Sequence, residues 1–153
     1  MPDYRRNIYK TARLAAGLTQ EAAAERLAVS VESLRAYETA QRIPPDDVLE
    51  LMVILYNAQH LAFEHIREKN ALYQRVVPEV QERSVLEATA KLANRIFAFA
   101  DSHADRRLMR IAEDNVIDAG ERPEFDAIME DLREIVQAAL ELHCAGEEVR
   151  DRA

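Results

Sequence analysis

Residue types able to hold a metal or act as nucleophiles are sparse in this chain, and their spacing decides against both roles. The four histidines are His60, His65, His103 and His143. None has a partner at a metal-ligand spacing, and His60 and His65, five residues apart, leave a common helical face. Asp114, Asp118 and Gly120 miss the calcium-loop pattern. Cys144, the single cysteine, lies in an apolar helical pattern and reads as a small buried side chain. No glycine-rich phosphate loop, nucleophile elbow or paired-cysteine site occurs, so the sequence implies no enzyme, metal or cofactor.

A different chemistry is offered near the N-terminus. Arg5, Arg6, Lys10, Arg35 and Arg42 are cations suited to phosphate. The whole chain is acidic, with a net charge of −8. Its distribution is uneven: residues 1–66 hold seven Lys/Arg against nine Asp/Glu, and residues 67–153 hold 13 against 19. Most of the acidity therefore lies outside the segment that carries the cations, although it still weakens long-range attraction to nucleic acid.

Helices must position these side chains. Of 153 residues 48% are hydrophobic, and only three Gly and five Pro interrupt a composition rich in Ala, Leu, Glu and Arg, so an all-α fold is expected. A first helix over about 5–16, with Ile8, Ala12, Leu14 and Ala15 inward, is stopped by Gly17. Thr19 caps a second over 20–27, and Ser30 caps a third running to about Glu38. Pro45 opens a fourth, with Asp46 and Asp47 at its positive end and Val48, Leu49, Leu51, Met52 and Leu55 inward. Further helices are expected over about 60–76, 79–101 and 104–118. The last opens at Pro123 and carries the cleanest stripe: Phe125, Ile128, Met129, Leu132, Ile135, Val136, Ala139 and Leu140. The expected organisation is a domain over 1–65, a helical oligomerisation or partner-binding region over 66–146, and a frayed tail over 147–153.

The stretch Leu18-Thr-Gln-Glu-Ala-Ala-Ala-Glu-Arg-Leu-Ala-Val-Ser-Val-Glu-Ser-Leu-Arg-Ala-Tyr-Glu38 resembles, without a gap, the helix-turn-helix core of the lambda repressor, Cro and XRE-like family. The likeness begins at Arg13-Leu14-Ala15-Ala16-Gly17, continues through Gln41-Arg42-Ile43-Pro44, and covers about residues 5–65. By that resemblance Gln20 donates to a backbone phosphate, and Val31, Glu32, Ser33, Arg35 and Ala36 lie on or beside the base-reading surface. Arg42 and Lys10 are further DNA contacts, while Arg13 and Glu38 form a structural ion pair. The sequence departs from the family at several points. The usual Gln, Arg or Asn readers are missing at positions 31, 32 and 36, Ala28 stands where Gly is common, and Thr39-Ala40 replaces Asn-Gly. If either backbone needs a positive φ, the substitution costs about 1 kcal/mol.

The resemblance implies a sequence-specific transcriptional regulator of the phage or mobile-element kind, a repressor-like cytoplasmic protein that meets double-stranded DNA as a homodimer. No apolar run is long enough for a membrane. The alternative is an acidic helical adaptor or antitoxin-like module whose C-terminal helices bind a protein partner. Self-association falls within residues 60–145 on this reading, with the Phe125 to Leu140 stripe as one candidate seam.

Overall fold

The computed structural model describes residues 6–150, without the side chains of 149 and 150. Arg5 lies outside the described residues. Nine α-helices follow one another there: α1 (Ile8–Ala15), α2 (Gln20–Arg26), α3 (Val31–Glu38), α4 (Asp46–Tyr56), α5 (His60–Lys69), α6 (Ala71–Val76), α7 (Val85–Asp101), α8 (Ala104–Ile111) and α9 (Arg122–Arg150). The protein is all-α, and no described helix is long and apolar enough to cross a membrane. The described residues divide into two compact units, one of residues 6–79 with 147–150 and one of residues 80–146.

In the first unit short helices are started and stopped by local chemistry. The side chains of Asn7, Thr19 and Ser30 accept from Lys10 N, Ala22 N and Ser33 N, satisfying amides that the first turns of α1, α2 and α3 leave open. Pro45 is the cap of α4 and not its first helical residue, and Asp46 and Asp47 occupy the positive end of the dipole. The four helices end alike, in a left-handed residue: Gly17 (φ 71°), Ala28 (φ 55°), Ala40 (φ 58°) and Asn57 (φ 49°). After each, an amide reaches back to close the last turn: Leu18 to Arg13 O, Val29 to Ala24 O, Gln41 to Ala36 O and Ala58 to Val53 O.

None of these helices is stable alone, and their apolar faces form one core. Leu34, Met52 and Leu61 are its largest fully buried side chains, each contributing about 1.5–3 kcal/mol by leaving water. The buried faces differ from the sequence expectation. On α1 it is Tyr9, Ala12 and Arg13 that turn inward, whereas Leu14 is 57% exposed. On α4, Tyr56 is buried and Leu51 is exposed. A buried ion pair and three tyrosines, Tyr9, Tyr37 and Tyr56, occupy core places that a purely apolar pattern cannot foresee. The helix expected over 60–76 is two helices, because Asn70 adopts an extended backbone and its side chain caps α6 through Leu72 N and Tyr73 N. Arg67 spans α6, donating to the carbonyls of Gln74 and Val77.

Tyr9, His65 and Asp46 join α1, α5 and α4 in the same unit. The Tyr9 hydroxyl lies 2.9 Å from His65 Nδ1, and His65 Nε2 lies 3.4 Å from Asp46 Oδ1, which also accepts from Lys69 Nζ at 2.7 Å. A neutral imidazole with its proton on Nε2 satisfies both neighbours. Burial pushes the His65 pKa down, outweighing the opposing pull of Asp46.

The second unit has a small apolar centre, where Ala104, Ile111 and Ile128 are buried and Phe99, Leu108, Ile117, Phe125 and Leu132 pack around them. Its other anchor is polar. Glu141 on α9 is fully enclosed and accepts from Arg83 Nε at 2.8 Å, Lys91 Nζ at 2.8 Å and Gln81 N at 3.3 Å. Burial raises its pKa, but those hydrogen bonds together outweigh it and hold the carboxyl below its usual value. The clamp leaves residues 79–84 outside helix, so α7 starts at Val85, behind a capping box of Ser84 and Glu87. The helix expected over 104–118 ends at Ile111, and Asp118 and Glu121 bond reciprocally to each other's backbone amides before α9. Along α9 the expected stripe is only partly inward, since Met129 and Val136 are exposed and Glu141 and Cys144 are buried. Residues 147–150 are still helical, and Glu148 is held by Asn57 and His60; residues 151–153 of the expected tail lie outside the described residues.

Because Ala28 and Ala40 are exposed and left-handed, replacing either by Gly relieves backbone strain without losing packing. Ala28→Gly and Ala40→Gly are each expected to stabilise the first unit by about 1 kcal/mol in urea unfolding. His65 gives a pH dependence of definite sign. Its folded pKa is depressed, so the unfolded chain binds the proton more readily, and stability present above about pH 6.5 falls as the pH drops below it. Urea midpoints measured from pH 7.5 to 5 should decline in the wild type and flatten in His65→Gln.

Candidate nucleic-acid interface

The site is built on α2, the turn Ala28-Val29-Ser30, and α3. Ala23 and Ala24 are buried and small, so α2 can lie close against its neighbours, while Leu27 and Leu34 fill the space beneath the turn. Both α2 and α3 begin at capped, extended residues, and the left-handed Ala28 reverses the chain between them.

The placement of α3 depends on a buried charge pair. Arg13 Nε and Nη2 donate to Glu38 Oε1 at 2.6 Å and Oε2 at 2.9 Å, and Nη1 donates to Leu18 O at 2.6 Å. Both side chains are almost fully enclosed, at 6% and 1% exposure. The hydrogen bonds to Glu38 raise the Arg13 pKa against the opposing effect of burial. Gln20 Nε2 donates to Glu38 Oε2 at 2.8 Å, which directs one of its two amide protons inward and leaves the other at the first turn of α2. Nearby, burial pushes the Tyr56 hydroxyl up to about 12, with Glu38 adding to the effect.

Of the five residues singled out on α3, Glu32 and Arg35 are exposed, one turn apart. Val31 is half-buried against the core, and Ala36 is half-buried with its carbonyl accepting from Gln41 and Arg42 amides. Ser33 Oγ accepts from Arg42 Nη2 at 3.1 Å and lies 3.0 Å from Ser30 Oγ. Arg42 also stacks its guanidinium over the Tyr37 ring at 5.4 Å, so a loop cation is fixed beside α3 by two contacts. Asn7, which the sequence does not single out, donates from Nδ2 to Tyr37 O at 2.9 Å and ties the start of α1 to the end of α3.

That tie shapes a cleft of about 620 Å³, lined among others by Arg6, Lys10, Arg42, Thr39 and Glu68. It brings Arg6, just before α1, and Lys10, in its first turn, together with Arg42 from the loop after α3, more than thirty residues further on. Arg35 is not among its lining residues.

Residues 10–66, the stretch holding α2, the turn and α3, match a family described as a helix-turn-helix domain. The chain carries a helix-turn-helix domain. Domains of this kind bind DNA and serve regulation, which is the general role the match assigns to this part of the molecule. No curated protein and no solved structure matches the chain. Among the described residues no group of His, Cys, Asp and Glu has the arrangement needed to hold a metal ion.

The helix-turn-helix domain should be sensitive to loss of either member of the buried pair, since the survivor is left charged and enclosed. Glu38→Ala is expected to destabilise the domain by about 3 kcal/mol or more. The double variant Arg13→Met/Glu38→Leu should lose much less than the two single changes added together, as read from urea unfolding in a double-mutant cycle.

Proposed function

We propose that the protein is a sequence-specific transcriptional regulator that binds double-stranded DNA as a homodimer and places α3 in the major groove. The observation that carries this reading is Arg42, held by Ser33 and Tyr37 beside an exposed α3, with Lys10 and Arg6 across one cleft from it. Phosphate binding there orients the domain, and the base-reading falls to the exposed pair Arg35 and Glu32. Arg35 suits guanine O6 and N7, and Glu32 suits cytosine N4, so the preferred half-site contains G·C pairs under α3. Gln20, through its remaining amide proton, adds a phosphate contact at the start of α2. A single reading head per chain and the two-fold symmetry of operators together call for two copies.

Fluorescence anisotropy with the protein's own upstream DNA and a scrambled duplex, at several salt concentrations, tests the assignment. Arg42→Ala should weaken binding to both duplexes alike and lower the salt slope by about one. Arg35→Ala should cost about 1–3 kcal/mol on the preferred duplex and little on the scrambled one. Equal binding to both duplexes by folded, dimeric protein would point instead to an acidic helical module that engages a protein partner.

A further inference from the structure

Helix α7 is apolar on two opposite sides. One side serves its own unit: Ala88 is fully buried, Phe99 packs in the core, Lys91 pairs with Glu141, and Arg95 Nη1 lies 2.7 Å from Glu134. At about 100° per residue, Leu86, Ala90, Ala93, Phe97 and Ala100 fall on the other side, spaced alternately by four and three. Leu86 is 79% exposed and Phe97 64%, Ala90 and Ala100 are exposed and Ala93 is half-buried, so most of the stripe meets solvent in a single copy. None of these five residues is charged; both basic residues of the helix are drawn to α9, and the acids Glu87 and Asp101 lie at one flank of the stripe.

We propose that this stripe is the seam along which two copies of the chain pair, α7 against α7 and antiparallel. The proposal rests on the dimeric reading above and assigns its surface. An antiparallel register sets Leu86 of one copy on Phe97 of the other and Ala90 on Ala93, giving equal layers at both ends and a close approach at the small central residues. The same register puts Glu87 opposite Asn94 instead of another acid, and opposes the two helix dipoles. An exposed Leu or Phe of this kind presents about 150 Å². With Val85 and Ile96 at the flanks the face offers on the order of 500 Å² per copy, so a pair hides about 1,000 Å², the lower bound for a specific contact. A concentration-dependent, micromolar dimer is expected. The α9 stripe is less suited, because Phe125, Ile128 and Leu132 are already engaged in the unit's own core.

Sedimentation of the full chain over roughly 1–100 μM tests this, with wild type, Leu86→Lys, Phe97→Glu and an equimolar mixture of the two variants. Both positions are largely exposed, so helical circular dichroism should stay at the wild-type level and confirm folding. The expected result is a wild-type dimer, an association about tenfold or more weaker in each variant alone, and recovery in the mixture. There the introduced lysine of one variant meets the introduced glutamate of the other only if the helices run antiparallel. A dimer unchanged in both variants overturns the seam, and variants that dissociate without recovery on mixing overturn the antiparallel register. A wild type that stays monomeric at all concentrations overturns the dimeric reading itself, whatever its DNA binding.

Discussion

The bidentate contact between Arg13 and Glu38 holds together what the rest of the first unit needs. It joins the end of α1 to the end of α3, reaches the turn at Leu18, and recruits Gln20 from α2. Two charges removed from water are tolerated only because almost every polar atom finds a partner, and the arrangement is therefore tied to one geometry. Loosening any of the three helices leaves an enclosed charge with neither solvent nor counterion. The orientation of α3 is fixed from its buried end, which leaves its other face free of structural duty at Glu32 and Arg35.

A second constraint acts through the backbone. Four successive helices end in a left-handed residue, yet only Gly17 is a glycine. Asn57 accepts the conformation at modest cost, but Ala28 and Ala40 are strained, and they bracket α3. Tertiary packing overrides local preference here: Leu27 and Leu34 can be buried together only if the chain turns sharply at 28, and Arg42 reaches Ser33 only if it turns again at 40. The strain is the local cost of presenting α3 between two fixed corners.

The second unit is held by different means. Its few buried apolar side chains are supplemented by Glu141, whose two cationic partners and one backbone amide pin residues 81–83 and α7 to α9. Such a device specifies geometry more than it adds stability. It also leaves much apolar surface uncovered on α7, α8 and α9, with Leu86, Phe97, Met109 and Val136 all more than half exposed.

The features legible along the chain alone are local: the all-α class, the caps at Thr19 and Ser30, the stop at Gly17 and the gapless helix-turn-helix pattern. These follow from short-range hydrogen bonding and helical periodicity, which act within a few residues. Which faces are buried was settled only in the folded molecule, because Arg13, Tyr9, His65 and Glu141 owe their interior places to partners 25 to 58 residues away. Folding also divided the expected 60–76 helix at Asn70, gathered Arg6, Lys10 and Arg42 at one cleft, and separated exposed Glu32 and Arg35 from half-buried Val31 and Ala36. Hydrophobic patterning sees none of this, since a charge with a distant partner and a charge in water look the same along the chain.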